Sequence, residues 1–450
     1  MKLAPRRRLT LIGVSLALLA LGAGVASQVS DALGLQSQPS VGIPVENLTV
    51  APASAVVLPP EFTAIDAPDD LRVSTAFDEL RDAVADAGTT SGTATLTVSF
   101  ESVEASGEGY SVSGTPTDIR ISAASRSGAV LGVYDLAAAV RAGRPVTENL
   151  GRTVESKLPF RMVDLGAVGV EPDADAYAAG TDYSHNSNAF KDVILADAPY
   201  IDDAALARAT TDFEEYVRHT LALGYNAIAV PGFIEYVTFE GVGDGTEVYA
   251  ADDPHRARAE AMRAAFGPML DYAHELGMKV YFRTDMLALT TPLQEYFERT
   301  FGGLATDDPA FWDVYRAGLD ELYAAMPSAD GVVVRIGEAG RVYDLPGWDY
   351  YSELAVTSVE SVRAMLMTFS DQAEASGREV IFRSWSVGVG AVGDMHTDPA
   401  SYAEVLDGID SPALVVSTKY SLGDFYSYLP LNTTLESGSQ RRIVEFQSRR

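Results

Sequence analysis

The stretch LGMKVYFRTD (276–285), followed after one helix-length interval by GVVVRIGEAG (331–340), decides the fold. Each is a short apolar run that ends in charged or glycine-flanked residues, and the segment between them is helical in period: 311–325 carries apolar residues three and four apart. A strand that finishes in polar residues, then a helix, then another strand is the unit of a parallel sheet. The same unit can be read outward in both directions. Towards the N-terminus lie strands at 160–165 and 227–230, with helices at 203–223 and 257–276. Towards the C-terminus lie strands at 380–385, 414–420 and 442–446, with helices at 357–375 and 402–406. Polar and charged residues sit just beyond one strand after another, as the mouth of a barrel requires. The expected fold is therefore α/β, a (β/α)8 TIM-type barrel over 156–450.

Only seven strands are readable, and the last begins within nine residues of Arg450. The expectation is an incomplete barrel lacking its eighth strand, from a truncated or split product; the alternative is one strand miscounted. Ahead of the barrel, 61–150 reads as a small α/β domain. It has a helical period at 75–87, alternation at 95–100, a strand pair at 110–113 and 119–122 around Pro116, and an amphipathic helix at 125–141. Nothing in that domain looks catalytic. Residues 27–60 are rich in Ser, Pro, Ala and Val without helical period, as in a linker.

The N-terminus places Lys2, Arg6, Arg7 and Arg8 before an apolar run from Leu9 to about Val25, closed by Gly24, Ala26 and Ser27. Basic, apolar, small is the order of an export signal, so 1–26 is a signal peptide or an uncleaved membrane anchor, and the protein is expected to be secreted or extracytoplasmic. With 33 basic against 63 acidic residues the net charge is −30, which argues against a nucleic-acid partner because phosphate backbones demand a basic face. The chain has no cysteine, which removes disulfides, thiolate metal sites and cysteine nucleophiles. His185, His219, His255, His274 and His396 show no paired metal spacing, and no Gly-x-Ser-x-Gly elbow occurs. Gly388-Val-Gly390-Ala-Val-Gly393 fits a dinucleotide glycine pattern, but 394–399 after it reads as a loop, so a flexible active-site loop is the better reading.

Candidate chemistry gathers at the strand ends. Glu338 follows the fourth strand between glycines, Asp424 follows the sixth, and Glu445 lies in the seventh among apolar neighbours. Carboxylates converging on one mouth suit glycosidic cleavage, where one donates a proton to the leaving oxygen and another, ionised, activates water or attacks carbon. In so acidic a chain, each taken alone is as readily an ordinary loop acid or a strand-end salt bridge. Arg335, Arg383 and Lys419 close the fourth, fifth and sixth strands, either to neutralise local acids or to capture an anionic sugar group, since a guanidinium fork matches a carboxylate. Trp348, Tyr350, Trp385, Tyr420 and Tyr426 are near enough to stack on sugar faces, yet such residues are more often packing, and none is assigned singly.

These segments, together with FGGLATDDPAFWDVYRAGLDELYAAMP (301–327), VIFRSW (380–385), VVSTKYSLGDF (415–425) and IVEFQSRR (443–450), resemble the alpha-glucuronidases of glycoside hydrolase family 67 over roughly 159–450. The first domain is similar to the small α/β domain that precedes the barrel in that family and in beta-hexosaminidases. The resemblance implies an inverting, exo-acting glycosidase with Glu338 as general acid and Asp424 and Glu445 positioning the attacking water. It implies Arg335, Arg383 and Lys419 around a uronate carboxylate, an oligosaccharide or polysaccharide substrate, and no metal or organic cofactor. The chain departs from the family in three places. Arg335 and Glu338 are three apart rather than four, FRMVDLGAVG (160–169) lacks the Trp-Asp-Asn feature of the first strand, and the eighth strand and C-terminal helical region are missing. Two other readings stand beside it: a non-catalytic glycan-binding surface protein with a degenerate barrel, and a hexosaminidase-like retaining enzyme. The latter requires adjacent Asp-Glu acids after the fourth strand, and none occurs there.

Overall fold

The computed structural model describes residues 70–87, 95–100, 107–144, 148–165, 189–337, 343, 345–386, 390–423 and 429–446. The N-terminal part is a four-stranded sheet with two helices. In chain order these are α1 (Leu71–Asp86), β1 (Thr95–Phe100), β2 (Tyr110–Thr115), β3 (Asp118–Ala123), α2 (Arg126–Arg141) and β4 (Thr153–Val154). The sheet order is β1-β3-β2-β4, with β1 parallel to β3 and the other pairs antiparallel. Asp70 and Ser125 start the two helices by accepting the backbone N–H of Arg72 and Gly128, which are otherwise orphan donors of a first turn. Phe77, Leu80, Leu96, Ile119, Ile121 and Tyr134 fill the core between helices and sheet.

The second sheet has seven strands, all parallel: β5 (Met162–Asp164), β6 (Ala227–Pro231), β7 (Lys279–Asp285), β9 (Ala329–Arg335), β11 (Glu379–Arg383), β12 (Leu414–Lys419) and β13 (Arg441–Glu445). Their spatial order equals their chain order, which is the winding of a TIM-type barrel. Between them run α3 (Asp203–Ala222), α4 (Pro254–Glu275), α5 (Thr291–Phe301), α6 (Pro309–Ala325), α7 (Val359–Ser376), the single turn α8 (Ala391–Asp394) and α9 (Pro399–Leu406). A two-residue strand β8 (Ala288–Leu289) pairs with β10 (Tyr351–Ser352) outside the sheet. The helix starts are legible chemically. Asp253, Asp308 and Asp398 each cap a helix whose first residue is proline, a position where the missing N–H costs nothing.

Alternation along the strands makes two cores. The even-numbered residues of the central strands, such as Ile228, Val230, Val280, Phe282, Val332, Val334, Val380, Phe382, Leu414 and Val416, pack outward against the helices. The residues between them, Ala227, Ala229, Tyr281, Val333, Ile381 and Val415, form a separate inner cluster, with Phe160, Met162 and Ile443 against it. The sheet curls around that cluster into an incomplete barrel. β5 and β13 are its two margins, and they are not paired with each other among the described residues.

The seven strands fall where the hydrophobic pattern predicts them, to within a residue or two for most. α5 and the β8–β10 pair were not foreseen. The apolar run 1–26 lies outside the described residues, and among the described residues no helix is long and apolar enough to cross a membrane.

Candidate active site at the strand C-termini

Parity dictates what stands at the mouth. Continuing the inner-facing series of each strand towards its C-terminus leads to Asp164 on β5, Arg283 and Asp285 on β7, Arg335 on β9, Arg383 on β11, Ser417 and Lys419 on β12, and Glu445 on β13. The register agrees: Asp285 is the Cα partner of Arg335, Arg383 of Ser417, and Lys419 of Glu445. Four of the six side chains expected at the mouth (Arg335, Arg383, Lys419 and Glu445) thus share one end and one face of the sheet. The other two, Glu338 and Asp424, lie outside the described residues.

The mouth is organised as ion pairs. Arg335, buried at 8% exposure, donates from Nε to Asp285 Oδ1 and from Nη2 to Asp285 Oδ2, both at 2.6 Å. This is a bidentate fork, the strongest geometry available to the pair. Arg383 Nε lies 2.6 Å from Glu445 Oε1, and Arg283 Nε lies 3.1 Å from Asp164 Oδ1. Glu445 differs from the other acids in one respect: its second oxygen, Oε2, is buried and accepts no hydrogen bond among the described residues. Lys419 is also buried, and its Nζ sits 3.5 Å from the centroid of the Trp385 ring, a cation–π contact.

That Lys419–Trp385 corner is held from behind. The His396 ring meets Trp385 edge-on at 4.4 Å. Buried Asn432 donates from Nδ2 to the Lys419 carbonyl oxygen (3.1 Å) and to the His396 carbonyl oxygen, tying the end of β12 to the loop after β11. Burial, assisted by the Lys419 charge, holds His396 below the ordinary imidazole value, against the hydrogen bond that its Nδ1 makes with the Gly393 carbonyl.

A further carboxyl went unnoticed in the sequence. Glu235 follows β6 in a short 3₁₀ turn and is 2% exposed, with Oε2 accepting from Phe233 N at 2.9 Å. Burial pushes its carboxyl above the usual range despite that hydrogen bond, and the nearby Asp285 charge adds to the effect. Gly232 makes the approach possible: its φ is +112°, and a Cβ there would meet the Tyr236 ring at 2.8 Å.

The aromatic candidates separate cleanly. Trp348 and Tyr350 are buried and pack on the Arg258 guanidinium at 5.1 and 5.5 Å, so they belong to the core rather than to a sugar platform. Trp385, half-buried, belongs to the mouth, while Tyr420 stacks on Phe446 and Tyr426 is outside the described residues. Of the glycine-rich motif, Gly388 is outside the described residues, and after Gly390 come the single turn α8 and further turns up to α9. His274, on α4, is exposed, with its Nδ1 3.4 Å from Asp330 Oδ2.

No family model matches the chain, and no curated protein matches it. Among solved structures it is similar to a GH138 enzyme targeting the pectin rhamnogalacturonan II, at 14% identity and a TM-score of 0.51 over 81% of this chain and 38% of that one. It is also similar to the Streptomyces plicatus beta-hexosaminidase (15% identity, TM-score 0.45, 84% of this chain and 75% of that one) and to the GH20 beta-N-acetylhexosaminidase of Streptomyces coelicolor A3(2) (14%, 0.44, 84% and 75%). These neighbours are glycoside hydrolases. The chain spans about two fifths of the length of the GH138 enzyme, and at such identity the first likeness establishes a shared fold.

Proposed function

We propose that the protein is an exported glycoside hydrolase, inverting and exo-acting in the manner of an alpha-glucuronidase, and that it cleaves uronic-acid-containing glycans. The observation that carries the proposal is Glu445. It is ion-paired with Arg383 through one oxygen, while the other is desolvated and, among the described residues, without a hydrogen-bond donor, on the same inner face as Arg335 and Lys419. A carboxylate so arranged is oriented and retains a lone pair with which to take a proton from water. In this reading Glu338 protonates the leaving oxygen, and Asp424 or Glu445 activates the water on the opposite face of the sugar. Arg335, Arg383 and Lys419 surround the anionic group of the substrate. No step calls for a metal or an organic cofactor.

The test is hydrolysis of aryl alpha-glucuronides and uronic-acid-capped oligosaccharides, with pectic oligosaccharides in the same screen. The configuration of the released sugar should be read at once by NMR. Glu338→Gln is expected to abolish turnover while leaving binding largely intact; unchanged turnover rejects the assignment. A binding-only reading is favoured by the margins β5 and β13, which are not paired with each other among the described residues, and it predicts glycan affinity with no release of sugar.

A further inference from the structure

His255 stands at the start of α4, buried, with a carboxylate opposite each ring nitrogen. Its Nδ1 is 2.7 Å from Asp253 Oδ1, the same oxygen that caps the helix by accepting the His255 backbone N–H. Its Nε2 is 3.5 Å from Asp349 Oδ2, is buried, and has no hydrogen-bond partner among the described residues. The Tyr249 ring lies flat on the imidazole at 4.8 Å, with 9° between the planes, and Tyr350 meets it edge-on at 5.3 Å. Asp349 is itself fixed at the first turn of α5. It accepts the Thr291 backbone N–H on Oδ2 (3.0 Å) and the Thr291 hydroxyl on Oδ1 (2.8 Å). Four residues on, Glu353 exchanges both backbone hydrogen bonds with Leu287, each at 3.0 Å, beside the β8–β10 pair. The connection from β9 to α7 is thus laid on the one that follows β7.

A neutral imidazole carries one N–H, and the short contact with Asp253, which can only accept, assigns it to Nδ1. Nε2 then turns a lone pair towards the Asp349 carboxylate, a repulsive contact that leaves a buried acceptor unsatisfied. A second proton, taken from solvent, reverses this. The same contact becomes a charge-assisted hydrogen bond, and the ring becomes a cation on the face of Tyr249. Arg258, one turn further along α4 and 5.5 Å from the Tyr350 ring, opposes the second charge, and the two carboxylates outnumber it. Glu235 acts on Tyr249 and Tyr350 from beyond them. From α5 come the hydroxyl groups of Thr290, bonded to Tyr249, and of Thr291.

We propose that His255 is a proton-operated clamp: on taking up its second proton it donates from Nε2 to Asp349 and fastens the connection between β9 and α7 to the start of α4. The clamped connection continues the chain from Arg335, so the device stiffens one wall of the mouth in acid, whatever the mouth binds. A partner gained only by the protonated ring gives stability that is present at acid pH and is lost as pH rises.

The experiment follows hydrogen exchange of the full chain at the Leu287 and Glu353 amides, at about pH 8 and about pH 5, each corrected for the chemical exchange rate at that pH. In wild type, protection is expected to rise about tenfold or more on acidification, the scale of one hydrogen bond to a charged group. In His255→Gln, neutral at both pH values, the rise should shrink to within about twofold. Because that variant alters a buried ring and can fail to fold, Asp349→Asn is measured beside it. It keeps an oxygen for Thr291 and removes the charge that the second proton answers, and it should lose the rise as well. Nitrogen-15 spectra of histidine-labelled protein read the proton directly: Nε2 of His255 should hold a lone pair at about pH 8 and a proton at about pH 5. A ring that keeps its lone pair at the lower pH overturns the proposal. So does a wild type without the rise, or a rise that survives in either folded variant.

Discussion

The two ends of the same barrel use the same residue types for opposite purposes. At the N-terminal end, Glu379 on β11 receives Lys279 Nζ (2.9 Å) and the Tyr281 hydroxyl on Oε2, and Arg441 Nη1 on Oε1. Three strands, β7, β11 and β13, are thereby stapled through one carboxylate. Gly331 on β9 lets the Glu379 backbone lie close, since a Cβ there would meet the Glu379 backbone carbonyl oxygen at 1.9 Å. At the C-terminal end, Glu445 on β13 is ion-paired with Arg383, and among the described residues no donor reaches its Oε2. Both acids project from the inner face and both have arginine neighbours. What separates them is saturation: a carboxylate with donors on both oxygens holds strands together, and one with an oxygen in reserve can act on a substrate. In barrels of this kind the C-terminal face is where chemistry is found and the N-terminal face is where stability is kept.

The comparison breaks most visibly if Glu445→Gln and Glu379→Ala behave alike. Glu445→Gln should cost about a thousandfold in turnover of an aryl glucuronide, the scale of a lost general base, with little change in the melting temperature. Glu379→Ala should do the reverse. Turnover per folded molecule is kept, and stability to urea falls by about 2 kcal/mol, because Lys279 and Arg441 are half exposed and re-solvate easily while Tyr281 does not. A thousandfold loss from Glu379→Ala, or an unfolded Glu445→Gln, would end the division of labour.

How far the sequence made this visible follows from the same alternation. The strand positions were legible because apolar runs such as VVV at 332–334 are bounded by charge, and the cations Arg335, Arg383 and Lys419 were legible because they close those runs. Asp285 was not singled out. It stands two residues past Arg283 on the same face, and that spacing was the available signal, but recognising it as the partner of Arg335 required the register between β7 and β9. Glu235 was hidden for a different reason: PGFIEYV (231–237) looks like a surface loop, and only the tertiary packing of Tyr236 and its neighbours shows the carboxyl to be buried. Glu379 has no sequence signature either, since Arg378-Glu379 before a strand reads as an ordinary solvated pair. Pairing across strands is a property of register, and register is not written in any one segment.

Acid titration sharpens the comparison through Glu379 and Glu235, which shift in opposite senses. Burial alone would raise Glu379, but the hydrogen bonds from Tyr281, Lys279 and Arg441 outweigh it and hold the carboxyl at about 2. A folded-state value below that of the unfolded chain gives stability that is present above pH 4.5 and lost as pH falls towards 2, so wild type should weaken across that window and Glu379→Gln should lack that part of the slope. Glu235 is raised, so its sign is reversed: its contribution is whole below pH 4.5 and is lost as pH rises through the folded-state value. Glu235→Gln, neutral at every pH, should therefore be more stable than wild type at pH 7 and indistinguishable below pH 4.5. Denaturation curves at the two pH values check it, and a variant less stable at pH 7 would show that Glu235 is held ionised.

The smallest effect tests whether saturation at the N-terminal end is shared or rests on one donor. Tyr281→Phe deletes a single hydroxyl from the inner cluster and leaves its ring in place against Phe160. If the three donors to Glu379 share the work, the loss is about 1 kcal/mol, the ordinary net worth of one hydrogen bond, because the acceptor keeps its other partners. With one of its stabilising bonds removed, the Glu379 carboxyl must also titrate at higher pH, so the acid limb of the stability curve should begin earlier than in wild type. Combined with Glu379→Gln, the substitution should cost less than it does alone, because the partner that gave the hydroxyl its value is no longer charged. A Tyr281→Phe variant as unstable as Glu379→Ala would mean that the buried hydroxyl carries the staple by itself and that Lys279 and Arg441 are solvated bystanders. In that case Glu379 and Glu445 would each rest on a single donor, and saturation would no longer distinguish the two ends.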